Sequence, residues 1–191
     1  MRITGGALKG RNIKCPDGVI RPAMDRMRES VFAIIGDLTG KSWLDMFSGS
    51  GTIAIEAASR GASHVELCEK DKIKIKTVLD NVSITEKELG LKIDCHFMAV
   101  ELFLKRCKNK FDYIFFDPPF PYKFRKDLIK FVDQYDLLTE DGTVLIHYPE
   151  EDALPEQVGG LVLTDKRIYG RSIVNFYKKA QKQNNKPLKA T

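Results

Sequence analysis

From Ser42 onward, short apolar runs alternate with longer stretches whose apolar positions recur every three or four residues. The runs Trp43–Phe47, His64–Cys68, Ile93–Phe97 and Tyr113–Phe116 predict strands, and Thr52–Arg60, Lys72–Val82, Glu101–Cys107 and Arg125–Leu137 predict helices. Parallel neighbours need a helix-length crossover, so the alternation implies βαβ units and a sheet covered on both faces. Thr143–Tyr148, Leu161–Arg167 and Ile173–Tyr177 add three strands, the final pair forming an antiparallel hairpin around Tyr169-Gly170. The expected fold is α/β and Rossmann-like, with seven strands that are mostly parallel and a last strand that is antiparallel. Ahead of it, short alternating positions punctuated by Gly5-Gly6, Gly10 and Asp17-Gly18 predict a hairpin, and Met24–Ile35 a helix. Residues 1–36 thus form an N-terminal extension of hairpin and helix, 37–179 the sheet domain, and 180–191 a disordered basic tail rich in Gln, Asn and Lys.

The chain of 191 residues is 43% hydrophobic with 11 Phe and 6 Tyr, enough for one core and too apolar for global disorder. No apolar run approaches the ~18 residues that span a bilayer, and none follows Met1 as a leader, so a soluble cytoplasmic protein is expected, taken as a monomer. Cys15, Cys68, Cys95 and Cys107 form no CxxC pair, which predicts reduced thiols and no metal. Net charge is only +5, but residues 1–30 hold seven basic side chains against three acids, and 178–191 hold five Lys and no acid. Two basic ends point to a polyanion, the alternative being a solvated surface that keeps the chain soluble.

Two motifs carry chemistry. In Asp45-Met-Phe-Ser-Gly49-Ser-Gly51-Thr-Ile-Ala54, a strand runs through G-x-G-x-x-A into a helix, and Glu69 ends the next strand. Glycines admit a ligand to the backbone, the helix N-terminus favours its anionic end, and an acid at Glu69 can take both ribose hydroxyls. NAD satisfies these marks as well as S-adenosylmethionine does. At the end of the fourth strand stands Asp117-Pro118-Pro119-Phe120. Two prolines remove two backbone donors and stiffen the turn. The Asp117 carboxylate and Pro118 carbonyl can then accept both protons of an exocyclic amine, and Phe120 offers a ring for the base to stack on. His64, His96 and His147 show no ligand spacing and read as structural, Cys68 and Cys95 as core, and Met24 and Met27 as packing.

Taken together, Asp-Met-Phe-Ser-Gly-Ser-Gly and Asp-Pro-Pro-Phe resemble the amino-group methyltransferases. Arg2-Ile3-x-x-Gly6-x-x-Lys9-Gly10-Arg11, Arg21-Pro22-x-x-Asp25-Arg26-x-Arg28-Glu29-Ser30-x-Phe32, Glu56-Ala57-x-Ser59-Arg60-Gly61-Ala62 and Glu69-Lys70-Asp71 narrow the likeness. Over residues 1 to about 178 the chain is similar to the bacterial family that methylates N2 of a guanine in 16S rRNA, of the guanine 966 type. The resemblance implies a seven-stranded methyltransferase sheet, S-adenosylmethionine as donor, and 16S rRNA or the assembled small subunit as partner. It implies catalysis by Asp117, Pro118, Pro119 and Phe120, and cofactor binding by Asp45, Phe47, Gly49, Ser50, Gly51, Glu69 and Lys70. Arg2, Lys9, Arg11, Arg21, Arg26 and Arg28 are expected on RNA phosphates. Ala23 and Met24 stand where the family often carries hydroxyls, and Ala99 where relatives place an acid or amide. Adenine-N6 methylation of RNA or DNA fits Asp-Pro-Pro-Phe equally, although no separate target-recognition domain accompanies it; a non-catalytic RNA-binding assembly factor is the other reading.

Overall fold

The computed structural model describes residues 1–15 and 22–181, the side chains of 22–24 excepted. The elements run α1 (Pro22–Ile35), β1 (Ser42–Met46), α2 (Thr52–Ser59), β2 (His64–Cys68), α3 (Lys72–Leu89), β3 (Ile93–His96), α4 (Val100–Arg106), β4 (Phe111–Phe116), α5 (Arg125–Gln134), β5 (Leu138–Pro149), β6 (Gln157–Val158), β7 (Leu161–Tyr169) and β8 (Ser172–Lys179). They build one sheet in the order β3-β2-β1-β4-β5-β8-β7-β6. The first five strands are mutually parallel, and β8 runs antiparallel to both β5 and β7.

The strand count and several boundaries differ from expectation, β5 beginning at Leu138 rather than Thr143 and α1 at Pro22 rather than Met24. The sheet has eight strands rather than seven, because the two residues of β6 pair with Val162 and Leu161 at its edge. A segment that short, between Pro155 and Gly159-Gly160, has no alternation to read. Helix α5 ends at Gln134, short of Leu137, where Asp136 turns to φ 50°. Helix α3 continues past Val82 to Gly90, whose φ of 63° ends it.

Period-two alternation sends successive strand residues to opposite faces. Trp43, Val65, Leu67, Phe115 and Leu145 pack with Val31 and Phe32 of α1 and with residues of α2 and α3. Leu44, Met46, Ile114, Phe116 and Ile146 face the other way, against α4 and α5. Trp43 stacks on Phe32 at 5.1 Å and Tyr113 at 5.6 Å, joining α1 to the sheet.

Where the hairpin is expected, residues 2–13 form a tight loop with one isolated antiparallel bridge, Arg2 with Asn12; Ile3 N–H donates to Arg11 O (2.8 Å) and Gly10 N–H to Ile3 O (2.8 Å), while Asp17-Gly18 lies outside the described residues. Ile3, Leu8 and Ile13 join the core on the α1–α2–α3 face. The loop docks by its backbone on the end of α2: Ala7 N–H donates to Ser59 O (2.7 Å), and a Cβ on Gly6 would lie 1.8 Å from that oxygen. Only glycine permits such an approach, at a φ of 75° that side chains also disfavour. Glu56, fully buried, gathers the neighbourhood. It accepts from Thr4 N–H (2.9 Å), Thr4 Oγ1 (2.7 Å) and Arg60 Nε (2.9 Å), and pairs with Arg28 at 3.5 Å.

Among the described residues no helix is long and apolar enough to cross a membrane, and no cluster of three or more His, Cys, Asp or Glu could hold a metal.

Candidate active site

Sheet order reverses direction between β1 and β4, and at such a switch point the carboxyl ends of the strands leave a crevice. Both motifs open there. Beyond β1 the chain turns at Phe47 (φ 64°), Gly49 (φ 61°) and Gly51 (φ 78°) before α2 begins. Gly51 N–H donates to Ser48 O (2.8 Å) and Ser48 N–H to Cys68 O (3.1 Å), which fixes the loop against β2. A Cβ on Gly49 would meet nothing within 4 Å, so the loop presents an open backbone face. Glu69, buried at the end of β2, accepts from Gly49 N–H (2.9 Å) and Asp71 N–H (2.8 Å).

On the other side, Asp117 leaves β4 with its N–H on Met46 O (3.2 Å). One carboxylate oxygen, Oδ1, lies 2.8 Å from Nδ1 of His147 in β5; Oδ2 takes no hydrogen bond among the described residues, nor does the Pro118 carbonyl. The Pro-Pro turn is stapled by Arg125 at the start of α5. Its buried guanidinium donates to the carbonyls of Pro119 (3.1 Å), Phe120 (2.7 Å) and Tyr122, and pairs with Asp152. Those carbonyls face inward because a fork of donors meets them. Phe120 sets its ring edge-to-face with His147 at 5.8 Å, and Tyr122 with Phe47 at 5.3 Å. Burial, then a 2.6 Å bond to Glu101, pushes the Tyr122 hydroxyl well above its ordinary range, so it stays a proton donor.

Between the motifs lies a cavity of about 740 Å³, walled by Phe47, Gly49, Glu69, Lys70, Asp117, Pro118, Pro119, Phe120 and His147, with Tyr169, Arg171 and Ser172 at the β7–β8 turn. Asp45, Ser50 and Gly51 stand behind this wall. Ser50 turns inward, its hydroxyl 2.6 Å from Thr52 Oγ1 and its carbonyl accepting from Asn81 (2.9 Å). Asp45 accepts from Ala54 N–H (3.1 Å), while its Oδ1, like Ser48 Oγ, is buried without a hydrogen bond among the described residues.

Burial, reinforced by the nearby charges of Asp117 and Glu69, holds the Asp45 carboxyl well above the usual range. A carboxyl in an unfolded chain ionises near pH ~3.9. Above that pH the unfolded state loses its proton first, so the wild-type fold loses stability until the folded carboxyl ionises too. Asp45→Asn keeps the acceptor for Ala54. Its melting temperature relative to the wild type is therefore expected to rise as the pH increases above ~4; a difference that stays constant across pH would mean that Asp45 ionises normally.

The basic residues divide. Arg2, Lys9, Arg11 and Arg26 are exposed, Arg11 pairing with Glu88. Arg21 lies outside the described residues. Arg28 corrects the expectation: it is 2% exposed, donates to Arg2 O (2.7 Å), and pairs with Asp25 (3.0 Å) and Glu56, so it holds the extension together from inside. Tyr169 at the cavity rim donates to Ser30 Oγ of α1 (2.8 Å), which places the basic extension beside the cavity. Cys68 is core, its thiol pushed up to about 12 by burial.

His147 and Arg125 are the site residues that spacing missed. The parallel register that pairs Phe116 with Ile146 sets His147 beside Asp117 one residue further along both strands, and no local spacing shows that pairing. Nothing in the local pattern of Arg125 distinguishes it from an ordinary first-turn residue.

The family model described as Conserved hypothetical protein 95 matches residues 1–178. Bacillus subtilis YlbH is 38% identical over 183 residues, spanning 94% of this chain and 99% of that protein. Ribosomal RNA small subunit methyltransferase D of Escherichia coli K12 is 25% identical over 181 residues, 94% and 90% of the two chains. The solved structure of Escherichia coli yhhF superposes with a TM-score of 0.84 at 25% identity, covering 95% of this chain and 99% of that one.

Proposed function

Because the chain belongs to the Conserved hypothetical protein 95 family, we propose that it is an rRNA methyltransferase that transfers a methyl group from S-adenosyl-L-methionine to the exocyclic N2 of a guanine in 16S rRNA, guanine 966 of the assembled small subunit. The observation that carries this reading is the pair of unengaged acceptors, Asp117 Oδ2 and the Pro118 carbonyl, at the edge of a cavity whose opposite wall is an open glycine loop.

The donor's site fits the residues present. Gly49 leaves its face clear at the cavity wall, and Glu69 stands where ribose hydroxyls would be recognised. Phe47, Gly49, Glu69 and Lys70 would line the cofactor directly, while Asp45, Ser50 and Gly51 set the loop's shape. S-adenosylmethionine bound there supplies a methyl group already activated by its sulfonium. What remains for the protein is the amine. Guanine N2 is delocalised into its ring, and donating its protons to Asp117 and Pro118 favours a more tetrahedral, more nucleophilic nitrogen and stabilises the charge that grows on it. The Pro-Pro turn, held by Arg125 at the carbonyls of Pro119, Phe120 and Tyr122, keeps those acceptors in place before the base arrives. Phe120 would stack against a base turned out of its helix, offsetting an unstacking cost of a few kcal/mol.

RNA is held by phosphate contacts of Arg2, Lys9, Arg11 and Arg26, in the reading that the exposed basic extension beside the cavity supports. The protein then acts in the cytoplasm as a monomer. Each of these four is expected, when replaced by Ala, to reduce the slope of log affinity against log salt by about 0.7–0.9 and to leave base choice unchanged; an unchanged slope for all four would remove the extension from the interface.

The deciding experiment offers labelled S-adenosylmethionine with unmodified small subunits, protein-free rRNA and duplex DNA, followed by nucleoside analysis. Label in N2-methylguanosine from the subunit is the expected result. Label in N6-methyladenine would keep the acceptor pair and replace the substrate, and no label on any acceptor would leave a non-catalytic RNA-binding factor.

A further inference from the structure

His147 lies in β5 and Asp117 directly follows its parallel neighbour β4, each one residue beyond the register pair Phe116 and Ile146. Both side chains emerge on the face that also carries Phe115 and Leu145. His147 is only 4% exposed, with the Phe120 ring edge-to-face at 5.8 Å, so its imidazole has no room to swing away. Its Nδ1 lies 2.8 Å from Asp117 Oδ1. A carboxylate only accepts, so the hydrogen of this bond belongs to Nδ1. The far nitrogen, Nε2, is buried and has no hydrogen-bond partner among the described residues.

We propose that His147 is a positioning residue for Asp117: its Nδ1–H ties Oδ1 down, so that Oδ2 alone is turned to the substrate amine. The proposal rests on the amine-methylation reading above and adds to it the reason that one carboxylate oxygen is singled out. A carboxylate left untied would rotate about its Cβ–Cγ bond and present its oxygens to water, and the angle would have to be fixed anew at each turnover.

The test compares His147→Ala, His147→Asn and His147→Gln in the full chain. An Asn amide places an N–H near the position of Nδ1, whereas Gln reaches towards that of Nε2. We expect kcat to fall by about 10- to 100-fold in the Ala and Gln variants and to be largely restored by Asn, with KM for small subunits and the dissociation constant of S-adenosylmethionine unchanged. Wild-type kcat in the Ala variant, or equal losses in Asn and Gln, would overturn the proposal. A wild-type product other than N2-methylguanosine, with the same order among the variants, would overturn the guanine assignment and support the role of His147. A readout independent of turnover is the ¹⁵N spectrum of His147: an Nδ1–H tautomer that becomes mixed in Asp117→Ala supports the pair, and a dominant Nε2–H tautomer in the wild type overturns it.

Discussion

Replacing Asp117 by alanine is expected to lower kcat for methyl transfer by about 10²–10³ while leaving the affinity for S-adenosylmethionine nearly unchanged. The division follows from position. Asp117 stands at the end of β4, across the cavity from the glycine loop, and its only hydrogen bonds among the described residues are its N–H to Met46 and its Oδ1 to His147. Truncation removes an acceptor aimed at the amine and none of the groups that shape the loop at Gly49. Asparagine is expected to rescue little: its one oxygen meets the Nδ1–H of His147, which leaves an NH₂ facing the amine's own protons. Single-turnover kinetics with unmodified small subunits, alongside calorimetric titration of the cofactor, separate the two quantities. Normal turnover at saturating cofactor, with binding weakened instead, would move Asp117 from the chemistry to the cofactor site.

The largest effect on stability is expected at Glu56. Its side chain is fully buried and satisfies Thr4, Arg60 and Arg28, which are drawn from the N-terminal loop, α2 and α1. With Glu56→Ala, the guanidinium of Arg28 keeps its bond to Arg2 O and its pair with Asp25 but is left buried beside a gap. Removing one partner of a buried ion pair costs about 3–5 kcal/mol, far more than any exposed pair on this surface contributes. Denaturant unfolding should register that loss in the midpoint. A change within about 0.5 kcal/mol, the range of an ordinary surface substitution, would mean that the network is incidental to the fold.

How much could be read beforehand depended on how local each signal was. The strands that carry Asp45 and Asp117 announce themselves because five or six residues alternate between two buried faces, and the glycines of the loop because positive φ admits little else. The meeting of these motifs across one crevice follows from the βαβ order alone. Other features were out of reach for particular reasons. His147 and Asp117 are 30 residues apart, and only the register of two parallel strands joins them. Arg125 looks like any helix-starting residue until the turn it staples is folded over it. By charge alone Arg28 resembles a phosphate ligand, but its spacing says otherwise. It lies four residues before Phe32 and three before Val31, both fully buried, so its helix position already placed it facing inward. Burial turned an apparent phosphate ligand into part of the scaffold.

Helix α2 is only eight residues long, yet it is gripped at both ends: Gly51 of the glycine loop opens it, and the N-terminal loop sits backbone to backbone on Ser59 at its close. At 1.5 Å per residue it is a strut of about 12 Å. On the proposed reading, in which the glycine loop holds the donor and the N-terminal loop the RNA, the two are thereby set at a fixed separation, like two jaws of a gauge. Changing that length by a single residue would turn one jaw by about 100° relative to the other, since a helix advances by rotation as well as by rise. Each site could then remain intact while the two no longer addressed the same nucleotide.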